Sequence, residues 1–153
     1  MSVLELKVPP PILVLVLALL MWLTPAVAGL LQIPDLARVL SAIALACIGQ
    51  GIGFAGVVAF RRAKTTVNPT NASLASSLVV QGVYRWTRNP MYAGFLLTLL
   101  AWALFLANPL AVLWVVVFVL YITRFQIIPE ERVLTSLFGA EYEAYKGRVR
   151  RWV

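Results

Sequence analysis

Four stretches of the sequence, residues 12–31, 39–60, 91–107 and 110–128, are apolar almost without interruption. A helix needs about 20 such residues to cross the hydrocarbon of a bilayer. The pattern therefore predicts an all-α integral membrane protein with four transmembrane helices, built as a single domain over residues 1–153. Composition agrees: 61% of the residues are hydrophobic and 12% charged, against roughly 25% charged in a soluble domain. A water-soluble globule and a disordered tail are both poor descriptions of such a chain.

The first span is entered through Pro9-Pro10-Pro11 and interrupted at Thr24-Pro25. Ala26-Val27-Ala28 has the small-x-small form of a signal-peptide cleavage site. However, the segment before the span carries both Glu5 and Lys7, so a retained span is expected. The second span has no charge and contains Gly49, Gly51, Gly53 and Gly56. Such glycines let helices approach closely in lipid, whereas a phosphate-binding loop would need a preceding strand and a nearby lysine. Asn108-Pro109 is a turn signal that makes the third and fourth spans a tight hairpin. After Pro129, Leu134, Leu137, Phe138, Tyr142, Tyr145 and Val149 recur at steps of three or four. The C-terminal segment 129–153 is therefore expected to form an amphipathic helix at the membrane interface, bent or broken at Gly139.

The charges then acquire a side. Thirteen Lys and Arg against six Asp and Glu give a net charge of +7. With four spans, twelve of the thirteen cations fall together: Lys7, those of the loop 61–90, and those from Arg124 onward. Arg38 alone falls opposite. The positive-inside rule makes the crowded side cytoplasmic and puts both termini there. This excess is accounted for by topology and lipid headgroups, with no need for a nucleic-acid partner.

Composition also limits the chemistry. The absence of histidine rules out imidazole acid/base catalysis, a Ser/His triad and a His-ligated metal. Cys47, the one cysteine, can form neither an intrachain disulfide nor a zinc site, and is expected to be a small buried helix residue. No metal centre is expected, and carboxylate chemistry must come from Glu5, Asp35, Glu130, Glu131, Glu141 or Glu143.

Two polar groups exceed what membrane packing requires. In the first, residues 82–94, Asn89 suits an N-cap and Pro90 the first turn of the third span. That helix start is an anion site, strengthened by Arg85 and Arg88, while Tyr84, Trp86 and Tyr92 offer flat apolar faces. A capped helix entrance with arginines on lipid phosphates is the plainer reading. The second group is Arg124, Gln126, Glu130 and Glu131. An arginine at the end of a span often snorkels to headgroups. Adjacent Glu130 and Glu131 point about 100° apart on a helix, so one can face a pocket and the other water or a basic neighbour. As acceptors, carboxylates suit an ammonium group or ribose hydroxyls.

These residues also resemble the membrane methyltransferase superfamily that includes isoprenylcysteine carboxyl methyltransferases and phospholipid methyltransferases. One block is Leu78-Val79, Gly82-Val83-Tyr84 and Arg88-Asn89-Pro90-Met91-Tyr92-Ala93-Gly94. The other is Glu130-Glu131, Leu134, Phe138-Gly139, Glu141-Tyr142 and Tyr145. The resemblance implies a bacterial inner-membrane enzyme that uses S-adenosyl-L-methionine from the cytoplasmic side. By position it implies that Ser76, Ser77, Leu78, Val79, Tyr84, Arg88, Asn89, Pro90, Met91, Tyr92 and Glu130 bind the cofactor. It also assigns Arg124 and Glu130 as catalytic, with Gln126 about as close to the arginine position. Asn89 stands where the commonest pattern has histidine, and asparagine cannot titrate near neutral pH.

The expected function is methyl transfer to a lipophilic acceptor at the cytoplasmic membrane face, the acceptor being a phospholipid amine or an isoprenylcysteine-like carboxylate. A catalytically silent membrane protein keeping the fold as a binding or assembly module is the alternative. A nicotinamide-dependent reductase of related architecture ranks behind both.

Overall fold

The computed structural model describes residues 5–25, 33–63 and 77–152. The described residues contain helices and turns and no strand. Helix α1 spans Pro10–Leu23, α2 Asp35–Arg62, α3 Pro90–Leu106, α4 Val112–Ile122 and α5 Ile128–Arg148. A 3₁₀ turn at Gly82–Arg85 precedes α3, another at Pro109–Ala111 precedes α4, and a π-helical turn at Thr123–Ile127 joins α4 to α5.

α2 and α3 form the most extensive helix pair, and glycine is the reason. A Cβ added at Gly94 would lie 2.6 Å from the Gly49 carbonyl oxygen, and one at Gly49 would lie 2.8 Å from that of Gly94. Gly56 faces Pro90 and Met91, whereas Gly51 and Gly53 have no neighbour that an added Cβ would meet. The glycine pattern is thus a packing device, but only part of it is used.

α1 lies across α3 and α4, and Leu17, Met21, Leu99, Ala103, Val115, Phe118, Ile122 and Ile127 form the core. At one end of the bundle the Asn108 side chain donates to the Thr24 carbonyl at 3.1 Å, and Trp114 Nε1 donates to Thr24 Oγ1 at 2.8 Å. Arg38 pairs there with Asp35, one turn away. At the other end lie the start of α1, the end of α2 with Arg61 and Arg62, the start of α3 and the π turn. Leu15, Trp22, Leu36, Phe54, Leu113 and Leu120 are each at least 60% exposed. Large apolar side chains in such number on an outer surface fit lipid, not water.

Three expectations change. The first apolar stretch yields a helix of 14 residues, about 21 Å long, which ends at Thr24-Pro25; the cleavage-like Ala26-Val27-Ala28 falls outside the described residues. By length and apolarity, Asp35–Arg62 and Pro109–Arg148 are the two described helical stretches able to cross a membrane. Second, the C-terminal helix is not a separate element. The fourth stretch runs through the π turn into α5, and the break comes at Gly139, with φ 49° and ψ −122°, which glycine tolerates for lack of a Cβ. Third, Cys47 is exposed on the outer face of α2.

Candidate functional site

The π turn exists because Pro129 brings no N–H to the helix ladder, and a widened turn absorbs such a gap. It also sets the helical phase at which α5 begins. Gln126 is buried and donates from Nε2 to Glu130 Oε1 at 2.7 Å. From the first turn of α3, the buried Tyr92 hydroxyl donates to the same oxygen at 2.7 Å. Glu130 lies just beyond the apolar stretch that ends at Ile128. The residue keeps some exposed surface, yet its carboxyl end is crowded by protein atoms. Desolvation there pushes its pKa up to about 7; the Gln126 and Tyr92 hydrogen bonds oppose the shift, and the neighbouring Glu131 charge adds to it.

Glu131, one residue on, turns the other way. Arg151 grips both of its oxygens, Nε to Oε1 at 3.0 Å and Nη2 to Oε2 at 2.7 Å. Arg88 Nη2 reaches Oε1 at 3.2 Å. The divergence expected of adjacent glutamates is therefore present: one meets a tyrosine and an amide, the other two guanidinium groups.

Asn89 sits at the start of α3, but its side chain does not cap the helix. Its Nδ2 donates instead to the Arg151 carbonyl at 2.9 Å, and Thr87 Oγ1 donates to that carbonyl at 3.2 Å. Asn89 contributes through its own carbonyl, which accepts from Ala93 N–H at 2.9 Å. Tyr145 donates to the Tyr84 carbonyl at 2.7 Å and so fixes the 3₁₀ turn that carries Tyr84. The Tyr84 ring meets Phe60 of α2 edge-on, with centroids 5.4 Å apart. Burial, with the nearby Tyr145 and Glu130 adding to it, holds the Tyr84 phenol well above its ordinary pKa. The hydroxyl is neutral at physiological pH.

Among the described residues, the Tyr84 hydroxyl and Arg88 Nε and Nη1 are buried without a hydrogen-bond partner. Orphaned buried donors of this kind are uncommon and costly. On the α2–α3 side of Tyr92 lies a cavity of about 370 Å³, bounded by Pro10, Gly49, Gln50, Phe54, Met91 and Tyr92 among others, and mostly apolar. Tyr92 belongs to both regions: its ring lines the cavity and its hydroxyl binds Glu130.

The sequence-predicted residues divide accordingly. Tyr84, Arg88, Asn89, Pro90, Met91, Tyr92 and Glu130 gather at this end of the bundle. Ser77 is occupied with the Ala63 carbonyl at 3.2 Å; Leu78 is half-buried and Val79 buried in the approach to the 3₁₀ turn. Ser76 lies outside the described residues. Arg124 is half-exposed and pairs with Glu5 at 3.0 Å, while Gln126 is the residue that reaches Glu130. Arg85 and Trp86 face outward. Arg151 carries no sequence signal, whereas Gln126 stands out as a polar residue near the end of an apolar run.

A sequence model of the family described as phospholipid methyltransferase matches residues 37–141, more than half of the chain. A protein of Haemophilus influenzae described as uncharacterized is 56% identical over 63 residues, which are 41% of this chain and all of that protein. A rice (Oryza sativa subsp. indica) "probable protein-S-isoprenylcysteine O-methyltransferase" is 36% identical over 110 residues, 70% of this chain and 56% of the rice protein. The protein-S-isoprenylcysteine O-methyltransferase of Saccharomyces cerevisiae is 40% identical over 75 residues, 47% of this chain and 30% of the yeast protein. The chain thus spans about half the length of the rice relative and less of the yeast one. No solved structure matches. By the extent of the family match, together with a relative 36% identical over 70% of the chain, the chain belongs to the phospholipid methyltransferase family.

Proposed function

We propose that the chain transfers a methyl group from S-adenosyl-L-methionine to a lipophilic acceptor at the cytoplasmic face of the membrane. The observation that carries the reading is the double membership of Tyr92, which joins an apolar cavity to a polar cluster with unpaired donors. A zwitterionic nucleoside ligand needs such a cluster, and a lipid acceptor needs such a cavity.

The residues fit the cofactor chemically. The free N–H groups of Arg88 suit its carboxylate, because a guanidinium N–H gives a carboxylate oxygen a strong charge-assisted hydrogen bond. Glu130 suits the ammonium group or a ribose hydroxyl, and the buried Tyr84 hydroxyl is a further donor. Asn89, Pro90 and Met91 shape the helix entrance, with Ser77, Leu78 and Val79 completing the wall. When bound, the cofactor supplies an activated sulfonium methyl, so the protein's work is alignment and exclusion of water. Met91 and Tyr92 form the border at which an acceptor held in the apolar region meets the cofactor held in the polar one. Glu130, poised near 7, is the group able to take a proton from an amine acceptor, a task that Asn89 cannot perform. Arg124, half-exposed at the rim, faces anionic headgroups and orients the acceptor from outside the cluster.

The same reading includes the topology. Four spans, with the bilayer thinned locally around the two short helices α1 and α3, put the cation-rich end in the cytoplasm. Both termini lie there, and the amphipathic part of α5 rests on the interface of a bacterial inner membrane.

The test is transfer of labelled methyl groups to a total lipid extract, with mass identification of the product, alongside titration of S-adenosyl-L-methionine into the chain in detergent. Binding with a methylated lipid product supports the enzyme. Binding without turnover on any lipid class supports the silent binding module, and no binding by folded chain sinks both forms of the cofactor reading.

A further inference from the structure

The Arg88 side chain is 10% exposed, yet Nη2 alone meets an anion, while Nε and Nη1 are buried without a partner. A neighbouring carboxylate would ordinarily close on such a guanidinium as a two-point fork. Glu131 is close enough to do so, but both of its oxygens are held by Arg151. Arg151 can compete because its backbone is tied down. Thr87 Oγ1 and Asn89 Nδ2 both donate to the Arg151 carbonyl, and the Arg88 amide donates to the Arg150 carbonyl at 3.0 Å. Beyond it, Trp152 Nε1 donates to Thr123 Oγ1 at 3.3 Å. Residues 150–152 therefore form a strap sewn to the two neighbours of Arg88 and to Arg88 itself. This strap lies beyond the residues that the family model matches.

We propose that Arg151 is a positioning residue that holds Glu131 off Arg88, so that the unpaired N–H groups on the Arg88 guanidinium stay open to a ligand carboxylate. Two guanidinium groups share one carboxylate here, so one positive charge is unmatched, and one ligand carboxylate neutralises it. Without Arg151, Glu131 turns onto Arg88 and fills the site from within. The inference rests on the proposed cofactor, whose methionine end carries that carboxylate.

Two probes separate the amino-acid end from the nucleoside end: S-adenosylhomocysteine, which has the carboxylate, and 5′-methylthioadenosine, which lacks the whole amino-acid group. Both are titrated into the full chain in detergent. Arg151→Gln is expected to weaken S-adenosylhomocysteine by about tenfold or more, while 5′-methylthioadenosine changes by less than about twofold. Retained binding of the second probe also reports that the variant is folded. Arg151→Lys keeps the charge without the fork and is expected to show the same selective loss, reduced in size. If Arg151→Gln does not fold, the lysine variant decides. Equal loss of both probes, or no loss of S-adenosylhomocysteine, overturns the positioning role and leaves the cofactor reading standing. Wild-type chain that binds neither probe overturns the cofactor reading and this inference with it.

Discussion

Leu6 donates its backbone N–H to the Phe125 carbonyl at 3.0 Å, the carbonyl that Pro129 would have satisfied had it carried an N–H. The segment before α1 thus fills the gap made by a proline more than a hundred residues later. Next to it, the Glu5 side chain is 4% exposed and pairs with Arg124 at 3.0 Å and Arg132 at 3.1 Å. These two contacts hold Glu5 against the π turn, at Arg124, and against the first turns of α5, at Arg132.

Glu5→Ala removes the acceptor from two arginines at once. Both arginines are half-exposed, so solvent screening limits the cost to about 1–2 kcal/mol. The thermal midpoint in detergent is expected to fall accordingly. An unchanged midpoint would mean that the clip contributes nothing to the turn.

Glycine substitutions in the α2–α3 pair are expected to sort by neighbour. Gly94→Ala drives a Cβ against the Gly49 carbonyl, where backbone meets backbone and neither helix can yield cheaply. A loss of about 1–3 kcal/mol is expected from overpacking. Gly51→Ala meets nothing and, with alanine the better helix former, is expected to be neutral or mildly stabilising. Comparable losses at both positions, measured by thermal unfolding, would refute this packing scheme.

How far the site is legible in the sequence differs by residue. Tyr92 and Glu130 are readable because each sits beside an apolar stretch in a recognisable block, and they meet at 2.7 Å. The break at Gly139 is readable from glycine's backbone freedom. The continuity of α4 and α5 is not, because Pro129 normally ends a helix and the π turn that rescues it leaves no compositional trace. The resemblance points to Arg124 or Gln126 for one position of the site. Gln126 is the one whose side chain reaches Glu130, as a four-residue spacing on one helical face allows. Capping is a local role that the position of Asn89 suggests, whereas its amide serves the Arg151 carbonyl, a partner that no local rule can anticipate.

Glu130 gives the chain a pH signature. Its folded pKa of about 7 lies above the ordinary 4.5. Below about 4.5 both folded and unfolded states hold the proton, so the contribution to stability is fully present. Between about 4.5 and 7 the folded state binds more protons, and stability falls as pH rises. Above about 7 the loss is complete. Glu130→Gln removes the titrating group, so the slope of unfolding free energy against pH is expected to flatten in that window. A variant with the wild-type slope would assign the titration elsewhere.

Tyr92→Phe tests the junction between the polar cluster and the cavity. The ring remains, so the apolar wall at Met91 and Phe95 is kept, while Glu130 loses one of the two donors on Oε1. Those donors stabilise the ionised carboxylate and hold its pKa down, so removing one pushes Glu130 further up. If Glu130 binds the ligand's ammonium group as an anion, affinity for S-adenosyl-L-methionine rises with pH as the carboxyl ionises. In the wild-type chain that rise is expected near pH 7. In Tyr92→Phe it moves to higher pH, with affinity at pH 7 several-fold weaker and affinity well above the shifted midpoint nearly restored. Gln126→Leu is expected to move it in the same direction, because the amide acts on the same oxygen. A uniform loss of affinity at every pH would mean that Tyr92 supports the ligand by contact alone, and an unchanged profile would remove the Tyr92–Glu130 bond from the binding site.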